Sequence, residues 1–169
     1  MTPFFILVSH SFMVDIFEKT FIIGPESIDV LGHVNNREYL RFMEIVALEH
    51  ADLLGWGTQA CLKRGEAWVA REHWAEFLRP TFLGDELTAY TWVQAHHASR
   101  SLRRYAIKRD KKVVFVGATE WAYIDMKTGR ALDIPQDIGL AFPIVDADDS
   151  RLAELGISRP VRFTPEWVA

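Results

Sequence analysis

A single cysteine, Cys61, leaves no possibility of an internal disulfide, and a reducing, cytoplasmic setting is expected. Basic charge is not in excess either. With 23 acidic residues against 19 basic ones, the formal net charge is −4, and no overall positive field exists for nucleic acid or an anionic membrane. No apolar run approaches the roughly 20 residues that a spanning helix needs. Several catalytic signatures are missing too. There is no G-x-S-x-G elbow, no H-E-x-x-H, no cysteine cluster, no Walker loop and no G-x-G-x-x-G. His96 and His97 are adjacent in a strand-like run, so they point to opposite faces and make a poor metal pair. No metal or cofactor is expected.

Internal repeats, low-complexity tracts and linkers are also lacking, and 169 residues fit a single domain spanning 1–169. Apolar residues make up 49% of the chain, ample for a core. The opening "MTPFFILVSHSFMV" is apolar but lacks a basic flank and an A-x-A-like cleavage site, so it reads as a leading segment, 1–14. Met13 is an equally good start residue. Phe17–Ile28 reads as a first strand with a Gly-Pro interruption. From Asn36 the period becomes helical, with Tyr39, Leu40, Met43, Val46, Ala47, Leu53 and Leu54 assigned to one face, and "GWG" at 55–57 is the expected stop. Strands are expected over 68–78, 87–95, 102–109 and 113–124, the last two joined by a hairpin at "DKK". The tail, about 136–169, should wrap the outside. One long helix among five strands implies an α+β layer arrangement with largely antiparallel pairing.

The least ordinary stretch is "DVLGHVNNREY", Asp29 to Tyr39. Asn35 suits an N-cap, and Glu38 three residues on suits a capping box. Capping explains those two residues and leaves Asp29 and His33 unexplained. Asn36 is then the first helical residue, its N–H one of the orphan donors at the positive helix end. A carboxylate in the preceding turn, beside donors that can hold a developing oxyanion, suits attack on an acyl carbonyl.

That motif resembles one found in the acyl-CoA and acyl-carrier-protein thioesterases of the hotdog fold, in the 4-hydroxybenzoyl-CoA thioesterase-like branch. "RPTFLGDEL", Arg79 to Leu87, is similar to the same family's P-x-x-x-G-D turn. The resemblance runs from about Phe17 to Pro135. It implies an antiparallel sheet wrapped round one long central helix, a homodimer or homotetramer with active sites at the interface, and hydrolysis of an acyl-CoA or acyl-carrier-protein thioester. The family's catalytic acid falls on Asp29, and the N–H that polarises the thioester falls at or next to Asn36. In the plant acyl-carrier-protein thioesterases an Asn stands where this chain has Leu31, while their His matches His33. The implied catalytic set is therefore Asp29 with His33, or Asp29 alone, with Asp29 as nucleophile or as general base.

Tyr39 and Met43 are the candidate acyl-pocket residues on the helix. Arg100, Arg103 and Arg104 are candidates to grip a phosphate of the substrate, with solvated strand charges as the plainer reading. Glu72 is a weaker acid candidate, better read as a solvated or paired strand residue. Two other classes compete with hydrolysis. A non-catalytic acyl-CoA-binding hotdog would keep the pocket without the chemistry. A hotdog hydratase or dehydratase resembles D-x-x-x-x-H, one residue longer than Asp29 to His33.

Overall fold

The computed structural model describes residues 14–159 and 162–168. The proposed leading segment, save Val14, and the alternative start at Met13 lie outside that range. Five strands form one antiparallel sheet: β1 (Phe17–Ile22), β2 (Glu66–Phe77), β3 (Glu86–His97), β4 (Arg100–Arg109) and β5 (Lys112–Asp125). Their order is β1-β3-β4-β5-β2. Only β3, β4 and β5 make a meander. The "FLGDE" turn does not join neighbours; it carries the chain from β2, at one edge, past β5 and β4 to β3. The first strand is shorter than expected. Gly24–Pro25 ends it, and Pro25–Ser27 forms a single 3-10 turn, because proline fixes φ and offers no N–H to a ladder.

The helix α1 (Asn36–Leu53) runs 18 residues without glycine or proline. Its buried residues are Glu38, Tyr39, Phe42, Met43, Val46, Ala47 and His50, a three- and four-residue stripe. Leu40 and Leu53, assigned to that face from sequence, are exposed, and Phe42 and His50 take the places. The stripe packs on Leu87, Ala89, Tyr105, Ile107 and Phe115 of the sheet's inner face. At Gly117 of β5 a Cβ would sit 3.0–3.1 Å from the Phe115 ring, the Trp74 carbonyl oxygen and Met43 Sδ.

A short helix, α2 (Thr58–Lys63), follows α1. The tail contributes α3 (Gln136–Ala141) and α4 (Ser150–Glu154). Val145, Leu152 and Ile157 of the tail cover Tyr90, Trp92, Ala106 and Val116 on the sheet's outer face. That face thus gains its own apolar layer, whereas the start of the tail departs from the expected outer wrap: Ile138 and Phe142 are buried with Cys61, Val93 and Tyr123. No helix of the described residues is long and apolar enough to cross a membrane.

Candidate functional site

Asp29 opens a tight turn before α1. Its N–H donates to the His33 carbonyl at 2.8 Å, and its own carbonyl accepts from Gly32 N–H at 3.0 Å. Gly32 has φ +78°, a conformation that favours glycine. One carboxylate oxygen, Oδ1, accepts from the N–H groups of Leu31 (2.8 Å) and His33 (3.3 Å). Oδ2 accepts no hydrogen bond among the described residues. Asp29 therefore shapes the turn with one oxygen and leaves the other free.

Asn35 caps α1 as expected, its side chain accepting from Arg37 N–H at 3.1 Å. The capping box does not close. Glu38 is buried and turns away from the Asn35 N–H, which donates instead to the Ser27 carbonyl at 2.8 Å. The Glu38 carboxylate accepts from Ser27 Oγ (3.2 Å) and pairs with Arg41 (2.9 Å) and Arg37 (3.5 Å). Arginines on both sides offer it more than one backbone donor does. The Asn36 N–H finds no acceptor among the described residues and stays open at the positive helix end.

The two sequence motifs meet here. Val34 N–H donates to the Thr81 carbonyl at 2.9 Å, and Tyr39 Oη and Thr81 Oγ1 share a hydrogen bond of 2.6 Å. Asp85 holds its own turn by accepting from Phe82 N–H at 2.9 Å and pairing with Arg109 at 2.7 Å. Between the motifs lies an open cleft of about 230 Å³, lined by His33, Asn36, Tyr39, Phe77, Arg79 and Pro80 among others. His33 stands edge-on to Phe82, with ring centroids 5.3 Å apart. Tyr39 stacks on Phe115 and touches Phe77 edge-on, and burial raises its pKa, so its hydroxyl stays neutral.

The structure brings Asp29, His33, Asn36 and Tyr39 to one end of α1. It does not bring Met43 there: Met43 is 1% exposed, packed under Gly117, and lines neither this cleft nor the inner cavity described next. The arginine grip fails as a unit. Arg103 points to the inner face, whereas Arg100 and Arg104 point outward, because neighbours on a strand alternate. Arg100 lies 3.8 Å from Glu120 on that outer face, and Arg104 is bonded to Gln94, the Phe163 carbonyl and Thr164. Glu72 is exposed and sits opposite Glu120 on the outer face, away from the cleft.

A second cavity, about 90 Å³, lies under the C-terminal half of α1. Trp68, His96, Ser101, Arg103, Trp121 and Phe142 contribute to its wall. Here Arg103 Nη1 donates to His50 Nδ1 (2.9 Å) and Thr91 Oγ1 (3.2 Å), and His50 Nε2 lies 2.6 Å from the Val14 carbonyl. Those partners make His50 the neutral Nε2–H tautomer. Burial first, then the Arg103 charge, pushes its pKa down to about 4, and the same two causes bring His96 to about 4. Nothing in the motifs pointed to this cavity. The one available signal was parity: Arg103 alternates with Tyr105 and Ile107, both core residues.

A five-stranded antiparallel sheet curled on one long helix, with a polar turn at the helix start, defines the hotdog class. The family model of the thioesterase-like superfamily matches residues 23–142, and the chain belongs to that superfamily. Among solved structures, a DHNA-CoA thioesterase from Staphylococcus aureus is similar with a TM-score of 0.69 and 18% identity, over 86% of this chain and 96% of that one. Another Staphylococcus aureus protein, solved in complex with CoA, has a TM-score of 0.71 and 16% identity, over 89% and 90%. An acyl-ACP thioesterase from Bacteroides thetaiotaomicron has a TM-score of 0.65 and 21% identity, over 70% of this chain and 49% of that one. At such identities the likeness establishes the fold. None of the curated proteins compared matches the chain.

Proposed function

We propose that this protein is a thioesterase that hydrolyses an acyl-CoA or acyl-carrier-protein thioester at the cleft beside the start of α1. One observation carries the reading: a carboxylate with a free oxygen, Asp29, stands in the turn before an unpartnered helix N–H, at Asn36, and the residues that follow it, His33, Val34 and Asn36, line the cleft. Superfamily membership supports hydrolysis of a thioester in general. The thioester carbonyl accepts from the Asn36 N–H, and a donor placed at the developing oxyanion is worth about 3–4 kcal/mol where measured. Asp29 Oδ2 then either attacks the carbonyl carbon, expelling thiolate and leaving a mixed anhydride for water to cleave, or takes a proton from the attacking water. His33, edge-on to Phe82 in the cleft wall, contacts the bound thioester.

The CoA-complexed protein of similar fold favours a CoA-type thioester. A thiol-release assay across aliphatic and aromatic acyl-CoAs tests the reading. Turnover of at least one group of esters is expected. Saturable ester binding with no thiol released would put the non-catalytic module in its place.

A further inference from the structure

Arg103 is 5% exposed, yet no carboxylate of the described residues lies within ion-pair distance of it. The residues outside the description carry no acidic side chain. Nη1 is used on His50 and Thr91; Nε and Nη2 donate to no described group. Arginine does not shed its proton at accessible pH, so the positive charge stays. A buried charge without a counter-charge is costly, and folded proteins rarely leave one unmatched. The nearby bases cannot match it, since His50 and His96 are neutral.

Other polar groups on the same cavity wall are idle. Among the described residues, both ring nitrogens of His96 and the indole nitrogens of Trp68 and Trp121 are buried without a hydrogen-bond partner. The rest of the wall is largely apolar, with Leu48 and Thr58 exposed at its margin. We propose that this cavity binds a small free carboxylic acid, its carboxylate held by Arg103 and its short apolar body by the aromatic wall. A planar monoanion fits the guanidinium fork. A phosphate dianion fits less well, because no second cation among the described residues lines the cavity. About 90 Å³ is smaller than the roughly 150 Å³ apolar cavity that accepts benzene, and suits an acid of a few carbons.

The site is separate from the cleft. Ala47 of α1 lines the cavity, eleven residues along from Asn36, or about 16 Å at 1.5 Å per residue. A short acyl group whose thioester sits at Asn36 does not span that distance within one protomer. The inference therefore stands whether or not the protein hydrolyses thioesters.

Titration of the full chain at neutral pH, followed by calorimetry and by fluorescence of the cavity tryptophans, tests it. Butyrate should bind saturably, and butyramide about ten-fold or more weakly, since charge-assisted hydrogen bonds separate the two. This comparison needs no variant, so a misfolded mutant cannot obscure it. Arg103→Met should lose the preference for acid over amide. Ala51→Leu, which fills the cavity and keeps the Arg103 side chain, should abolish binding while the circular dichroism spectrum is kept. Equal binding of acid and amide would overturn the proposal. So would the absence of saturable binding by any acid from propionate to benzoate. Binding of succinyl-CoA that Ala51→Leu removes, with no binding of free acids, would overturn it as well, and would reassign Arg103 to the distal carboxylate of a thioester.

Discussion

At the scale of single residues, Asp29 and the two inner histidines give opposite kinds of test. Asp29→Asn keeps an oxygen that accepts from the Leu31 and His33 N–H groups, so the turn survives and only the charge is lost. Thiol release should fall about 100-fold or more, while the thermal midpoint hardly moves and ester binding persists. Unchanged turnover would reduce Asp29 to a turn-former. His50 and His96 act on stability instead. Their folded pKa values, about 4, lie below the ordinary 6.5, so above pH 6.5 neither contributes a pH dependence. As pH falls from 6.5 towards 4, the unfolded chain takes up protons that the folded one refuses, and stability drops. Each ring accounts for up to roughly 3 kcal/mol at the low end. Thermal midpoints measured from pH 7 to pH 4.5 should decline steeply, and His50→Gln should flatten the decline. Equal slopes in both proteins would show that His50 is not buried neutral.

At the scale of elements, Gly117 of β5 is packed between the Phe115 ring, the Trp74 backbone and Met43 of α1. This glycine is needed for space. A methyl at 117 meets backbone at Trp74 as well as the Phe115 ring and Met43, so side-chain movement alone cannot admit it. Gly117→Ala should cost about 1–3 kcal/mol, read as a lower midpoint in urea with an unchanged slope. A variant as stable as the parent would mean that α1 shifts freely over β5. The clamp of Val34 and Tyr39 on Thr81 fixes the cleft.

At the scale of the whole molecule, the sheet has two edges. β1 is six residues long, whereas β2 is twelve residues long, pairs with β5 on one side only, and is exposed from Val69 to His73. A long free edge is a template for another strand. Apolar side chains are exposed in both motif loops too: Val30, Leu31, Phe82 and Leu83. Phe77, at the end of β2, is part of the cleft wall. Pairing of the β2 strands in a homodimer would cover this edge. Sedimentation at micromolar concentration should show a dimer or tetramer, and Ala70→Pro, mid-edge in β2, should yield monomer with reduced thiol release. A wild-type monomer with full activity would overturn this.

Local chemistry made much of this protein legible from sequence. Asn35 as cap, Asn36 as first helical residue, the Gly-Pro break after β1 and the hairpin at 110–111 all follow from backbone preferences of a few adjacent residues, and they act whatever surrounds them. Glu38 and the arginines were a different matter. A carboxylate takes the best donors within reach, and only folding brings Ser27 beside Glu38. Parity along a strand says that Arg103 and Arg104 part company, but which faces inward depends on where α1 lies. The β-bulge between Val93 and Ala95 then moves His96 onto the inner face, a shift that no alternating pattern reveals. Asp29, His33 and Asn36 lie within one short stretch of sequence, so their proximity follows from the chain itself. The inner cavity is assembled from α1, α2, four strands and the tail, so it exists only once the sheet has curled round the helix.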